Sequence, residues 1–205
     1  MDNVHIALGS TRHVIVAFAG FGMQLQMPPF HFFRLTRTLA CTRIFVRDPH
    51  CYWYHRGIGD GLDTLEAVAD YLGAVLTRMH PERTTFVGTS GGGYGALLFG
   101  ALCGADRVLA FGGQTTLRLP VRNEERRQEV LGAGLASAAY FDLRAHLPGR
   151  AGRVEIHYCA GDDLDQAQAR HAIGVPRVEL RPHPCPDHEI APYLRNSGRL
   201  ATMMA

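Results

Sequence analysis

No apolar run in the 205-residue chain approaches the ~18 residues that cross a bilayer, so no membrane span is expected. Nor is there an excess of charge of either sign. The net charge is +2 with histidine neutral and the basic residues are scattered, which leaves no footprint for nucleic acid or an anionic membrane. The densest charge run, Arg122-Asn123-Glu124-Glu125-Arg126-Arg127, mixes signs as a solvated helix face does. The opening MDNVHIALGSTRH lacks a basic start followed by an apolar block, so no signal peptide is expected. Cysteine is scarce and odd in number. Cys41, Cys51, Cys103, Cys159 and Cys185 are irregularly spaced and read as reduced thiols in a cytoplasmic protein, against a disulfide scaffold. Internal repeats, linkers and low-complexity tracts are missing as well. With 46% hydrophobic residues, the chain reads as one domain over 1–205 with a sizeable core.

What is present is an alternation of strand and helix patterns. His13 to Ala19 (HVIVAFA), Thr42 to Val46, Thr84 to Val87, Arg107 to Phe111 and Val154 to Cys159 are short, nearly continuous apolar runs of the kind buried on both faces of a parallel sheet. Arg177 to Arg181 reads as a further strand. Helices are expected near Phe30 to Leu39, over Leu62 to Met79 with Asp63 or Thr64 as cap, near Asn123 to Leu135, near Gln166 to Ile173, and from Ile190 onward. The expectation is an α/β fold: a three-layer sandwich whose mostly parallel central sheet has helices on both faces. Residues 112–152 break the rhythm and are the natural place for a small lid or a surface excursion.

The stretch from Thr84 to Phe99, TTFVGTSGGGYGALLF, organises the rest. A β-prone run ends in Gly88-Thr89-Ser90-Gly91-Gly92 and a small-residue helical segment follows, which is G-x-S-x-G in the strand-to-helix setting of a nucleophile elbow. A serine on so sharp a turn has a strained backbone, and side chains on its neighbours would clash where strand and helix nearly touch. Phosphate-cradle readings fail on the residues. No Gly-Lys-Ser/Thr follows the glycines, and Leu98 stands where the last glycine of G-x-G-x-x-G should be.

A serine hydroxyl needs a base to take its proton and a third group to orient that base. His188 sits in the proline-punctuated loop Pro182-His183-Pro184-Cys185-Pro186-Asp187-His188 and is the expected base, with His183 as understudy. The acid lies in Gly161-Asp162-Asp163-Leu164-Asp165. Asp165 is preferred, since it can cap the following helix and still face His188; Asp163 and then Asp162 stand behind it. Donors for the oxyanion are expected at the Gly91 amide and in the Gly20-Phe21-Gly22 loop, with Phe21 chosen. Trp53, in the aromatic run Tyr52-Trp53-Tyr54, and Gln114, just past a strand end, are the candidate substrate contacts. Arg47 and Asp48 can pair with each other, or Arg47 can meet an anionic substrate. His183, Cys185 and His188 match no standard zinc spacing and no fourth ligand is near, so no metal is expected.

The elbow, the Ala19-Gly20-Phe21-Gly22 loop, the Asp165 region and His188 together resemble the α/β-hydrolase superfamily, in particular a compact bacterial esterase or thioesterase-like subgroup, over almost the whole chain. Two features depart from the common pattern. The loop after the first apolar strand reads Ala-Gly-Phe-Gly where many members carry His-Gly, and the antiparallel strands that open larger members are missing or reduced to Val4–Leu8. The resemblance implies a minimal α/β-hydrolase fold and hydrolysis or transfer of an acyl group held as an ester, thioester or amide. The expected protein is thus a serine hydrolase taking a small-molecule acyl substrate and needing no cofactor. Acyl transfer or thioester release in a biosynthetic pathway is the alternative, and a non-catalytic binding module is the third reading.

Overall fold

The computed structural model describes residues 2–21, 32–147, 149 and 151–204. In chain order its elements are β1 (Val4–Ala7), β2 (His13–Phe18), β3 (Thr42–Val46), α1 (Leu65–Met79), β4 (Arg83–Thr89), α2 (Gly91–Cys103), β5 (Arg107–Phe111), α3 (Glu124–Gly132), β6 (Arg153–Cys159), α4 (Asp163–His171), β7 (Val178–His183), α5 (Ile190–Asn196) and α6 (Arg199–Met204). The strands form one sheet in the order β1-β3-β2-β4-β5-β6-β7. Only the short β1 runs antiparallel, against β3; every other pair is parallel.

Alternation along the strands explains why both faces are covered. In β2, Val14, Val16 and Phe18 join the core under α1 and α2, while Ile15 and Ala17 point to the opposite face, against Ile190, Leu194, Leu200 and Met204 of α5 and α6. Helix α1 places Leu65, Val68, Leu72 and Leu76 on its buried stripe. Of the two cap candidates, Thr64 takes the role, its hydroxyl accepting the Ala67 N–H at 3.1 Å.

The order of the sheet decides where a site can form. From β2 the chain moves outward to β3, then returns to pair β4 on the other side of β2. The loops after β2 and β4 therefore leave side by side at the carboxyl edge, the switch point at which such sheets open a crevice.

Two helical expectations are corrected. Residues 30 and 31 of the stretch expected as a helix from Phe30 to Leu39 lie outside the described residues. Residues 32–38 form hydrogen-bonded turns (Thr36 N–H to the Phe32 carbonyl, Leu39 N–H to that of Thr36) without a regular helix. The C-terminal helix is two helices, because Gly198 at φ 71° turns the chain between α5 and α6.

Residues 112–152 contain α3 and two 3-10 segments, Ala136–Phe141 and Leu143–Ala145, and bury Leu117, Val130, Phe141 and Leu143 in the main core. A polar network fastens them as well. The Tyr94 hydroxyl donates to the Tyr140 carbonyl, so it accepts from His55 Nε2 at 2.9 Å; His55 Nδ1 then accepts the Ser137 hydroxyl at 2.7 Å. The imidazole is neutral in this pattern, and burial lowers its pKa to about 4. An unfolded histidine takes its proton near 6.5, so below that pH the unfolded chain binds more protons and stability falls as the pH drops. At pH 5 this residue alone costs roughly 2 kcal/mol. His157, lowered to about 3 chiefly by burial, acts in the same direction. Urea-unfolding midpoints are expected to fall between pH 7.5 and 5, and His55→Gln to shrink that fall; an unchanged pH slope in the variant would refute the assignment.

Candidate active site

Ser90 is the single residue between β4 and α2, at φ 53° and ψ −123°. A non-glycine residue in this region costs about 1–3 kcal/mol and persists only where its surroundings fix it. They do so here. The Ser90 N–H donates to the Phe111 carbonyl at 2.9 Å, and the Ser90 carbonyl accepts the Tyr94 N–H at 3.2 Å. Gly88 lets the strand and the new helix meet, since a Cβ there would lie 1.9 Å from the Gly92 carbonyl oxygen. Helix α2 is buried continuously from Gly91 to Ala101, so the turn stands on a fixed base.

Above the turn three side chains lie in a line. His188 Nε2 is 2.9 Å from Ser90 Oγ, and His188 Nδ1 is 2.6 Å from Asp165 Oδ1. With Asp165 as a carboxylate, Nδ1 carries the proton and donates it, which leaves Nε2 to accept the Ser90 hydroxyl. The second oxygen of Asp165 accepts the Cys159 N–H at 3.3 Å. The chain contains no lysine, and among the described residues the nitrogen base hydrogen-bonded to Ser90 is this imidazole.

The three carboxylates of the Asp162–Asp165 turn take different places. Helix α4 begins at Asp163, three residues earlier than the sequence pattern placed it, and its cap is Asp162, which accepts the Asp165 N–H at 2.9 Å. The expectation that Asp165 caps the helix is therefore corrected; it sits buried in the first turn, facing His188. Burial pushes the Asp162 carboxyl up, but the Asp165 amide and the Arg122 guanidinium outweigh it and hold it below the usual value. Asp163 is exposed. The understudy base, His183, lies at the end of β7, hydrogen-bonded to His157 at 3.0 Å and outside the cleft.

A cleft of about 660 Å³ opens in front of Ser90. Phe21 leaves the end of β2 and lays its ring on Gly91, with ring carbons 2.6 Å from where a Cβ on that glycine would stand. The same ring meets Trp53 edge-on at 4.7 Å, and Trp53 Nε1 donates to Gln114 Oε1 at 3.0 Å. Phe21, Trp53 and Gln114 thus form one contiguous wall of the cleft, with Val121 from the 112–152 segment adding to it. Arg34, Arg122 and Arg195 bring positive charge to the lining and Glu189 negative charge.

The neighbours of Trp53 do not join it there. Tyr54 packs in the core against Phe18 and Phe99, and the Tyr52 hydroxyl donates to Glu129 of α3. Arg47 and Asp48 do not pair. The Arg47 Nε donates to Asn3, away from the cleft, while buried Asp48 accepts the N–H groups of His50, Tyr52 and Tyr54 at 2.7–2.9 Å. That bracket sustains the positive φ of Trp53 (51°) and Tyr54 (66°), and so aims the indole into the cleft.

Sequence reading missed the Cys159–Cys185 disulfide. Only Cys41, Cys51 and Cys103 are free, so the reading of five reduced thiols is corrected and the cysteine argument for a cytoplasmic location falls with it. The bonded sulfur of Cys185 is also spent as a thiolate ligand. No helix among the described residues is long and apolar enough to cross a membrane.

No family model matches the chain, and no curated protein matches it in sequence. Solved structures match throughout its length. The capsule O-acetyltransferase of Neisseria meningitidis serogroup A superposes at a TM-score of 0.70 and 14% identity, over 98% of this chain and 92% of that one. An S-formylglutathione hydrolase from Agrobacterium tumefaciens gives 0.69 and 16%, over 98% and 87%. An α/β-hydrolase enzyme from the sediment metagenome of the Mar Chica lagoon, Morocco, gives 0.61 and 15%, over 98% and 94%. The chain has the α/β-hydrolase fold. Within that α/β-hydrolase fold, Ser90 follows the strand beside β2, and Asp165 and His188 follow β6 and β7, the last two strands of the sheet.

Proposed function

We propose that the protein is a serine hydrolase acting on a small acyl ester or thioester. Ser90 Oγ attacks the carbonyl carbon while His188 Nε2 takes its proton, and Asp165 keeps the imidazole in the tautomer that can do so. The Gly91 and Phe21 amides, with the N-terminus of α2 behind them, face the developing oxyanion. Collapse breaks the bond to the alcohol or thiol, which leaves with the proton from His188. Water, deprotonated by the same imidazole, then attacks the acyl-enzyme, releases the acid and regenerates Ser90. Trp53 and Gln114 contact the acyl group. The reading is carried by the line Ser90 Oγ, His188 Nε2/Nδ1, Asp165 Oδ1, whose two hydrogen bonds, 2.9 and 2.6 Å, both lie within reach for proton transfer in this order.

A second reading, transfer of the acyl group to a hydroxyl other than water, shares every step up to the acyl-enzyme. It is favoured by the full-length superposition on an O-acetyltransferase, and the apolar side chains of Phe21, Trp53 and Val121 in the cleft wall are compatible with it.

The deciding experiment treats the protein with a fluorophosphonate and reads the intact mass. A single adduct, mapped to the peptide containing Ser90, is the expected result. An unlabelled but correctly folded protein would overturn the proposal and leave the binding-module reading in its place. Release of p-nitrophenol from p-nitrophenyl acetate, with and without an added polyol acceptor, then separates hydrolysis from transfer.

A further inference from the structure

We propose that the Cys159–Cys185 disulfide is a positioning element of this site, locking the turn that carries Asp165 to the loop that carries His188. The inference rests on the reading of Ser90 as the nucleophile. Its ground is where the two sulfurs stand. Cys159 is the last residue of β6, six before Asp165; Cys185 follows β7, three before His188. The acid and the base come from different strand ends, and the sulfur bridge is the one covalent tie between them among the described residues.

Cys159 acts in two directions. Its N–H donates to Asp165 Oδ2, and its sulfur holds Cys185. Sheet pairing ends at Cys159 opposite His183, and β7 is the edge strand, with no further strand beside it among the described residues. Past that point the two segments touch through the Ala160 N–H to the His183 carbonyl (2.8 Å) and the Gly161 N–H to the Cys185 carbonyl (3.0 Å). They touch so closely that a Cβ on Gly161 would stand 2.8 Å from Pro186 Cα. Pro184, Pro186 and Asp187 are themselves exposed. Without the bridge, the main-chain ties between the two segments among the described residues are the bonds from Ala160 and Gly161, and past Cys185 the chain runs on to His188 and the start of α5. A displacement of the imidazole by an ångström is enough to cost about 100-fold in rate.

Both sulfurs are buried, Cys159 fully and Cys185 to 2% exposure. A dithiol can reduce the bridge only when the segment opens, giving two thiols and the oxidised cyclic disulfide of the reagent; an added disulfide such as oxidised glutathione takes the two electrons back. This burial marks a lasting fastening of the site.

The test begins with thiol counting. Protein denatured in iodoacetamide without reductant is expected to gain three carbamidomethyl groups, for Cys41, Cys51 and Cys103, and five after reduction. Five before reduction would overturn the inference. Next, the double variant Cys159→Ala/Cys185→Ala is compared with wild type at a temperature where circular dichroism shows both folded. Fluorophosphonate labelling is expected to slow about 10- to 100-fold, and kcat on p-nitrophenyl acetate to fall with KM within about twofold. A lower melting temperature with labelling at the wild-type rate would reduce the bridge to a stabilising link and sink the proposal. If the variant does not fold, native protein reduced with dithiothreitol at a temperature where circular dichroism shows it still folded, then reoxidised with glutathione disulfide, supplies the same comparison: labelling slows and returns, or the proposal fails. The far-downfield proton of the His188–Asp165 hydrogen bond, expected in the NMR spectrum of wild type and lost in the bridge-free protein, reads the positioning without using Ser90. An unlabelled wild type that keeps this signal and the three-thiol count would overturn the nucleophile reading while leaving the bridge in place.

Discussion

Ser90→Ala is expected to lower kcat on an activated acyl ester by at least about 10³-fold and to remove the fluorophosphonate adduct entirely. The substitution deletes one oxygen whose hydrogen bond is to His188 Nε2, and leaves the turn held by the Phe111 carbonyl and the Tyr94 amide. The protein should therefore fold and melt close to wild type, or slightly above it if, as proposed, the hydroxyl is kept for chemistry. The measurement is intact mass after probe treatment beside steady-state kinetics and a melting curve. A variant that still labels at the wild-type rate would place the nucleophile elsewhere.

Asp165→Asn is expected to cost about 10³- to 10⁴-fold, with little loss of stability. The Cys159 N–H must keep an acceptor, and the amide oxygen takes that place. The amide NH₂ then faces His188 Nδ1, which has to become an acceptor, so the imidazole proton moves to Nε2 and the ring can no longer receive the Ser90 hydroxyl proton. Asp162→Asn is the control. Its side-chain oxygen can still cap α4, and what is lost is the partly exposed pair with Arg122 and a weaker charge interaction with His188, so kcat/KM should change less than about threefold. Equal losses in the two variants would mean that the carboxylates have been assigned wrongly.

That distinction between Asp162 and Asp165 shows where sequence reading ran out. Strands such as HVIVAF and RVLAF were legible because short, nearly continuous apolar runs suit an element buried on both faces of a parallel sheet. The elbow was legible because its glycines answer to a local steric demand at Gly88 and Ser90. Which aspartate caps α4 depends on where the helix starts, a shift of three residues that composition does not encode. The disulfide joins cysteines separated by 26 positions with no spacing signature, and becomes visible only when β6 and β7 lie side by side. The His55–Tyr94–Ser137 network is of the same kind, since its partners come from three distant parts of the chain. Trp53 was picked out of its aromatic run without any sequence signal for the Asp48 bracket that separates it from Tyr52 and Tyr54.

Helix α2, enclosed on every side from Gly91 to Ala101, has a consequence for how this protein can change. A Cβ would meet the Phe21 ring at Gly91, the Phe18 carbonyl at Gly92, the Gly113 backbone at Gly93 and the Tyr54 ring at Gly95, so larger side chains under the serine are expected to be poorly accepted. The rim is different. Asn123, Ala191 and Pro192 line the cleft from partly exposed positions, outside the hydrogen-bonded line of Ser90, His188 and Asp165. A new preference for chain length or shape can be written at those positions while the reacting atoms stay where they are.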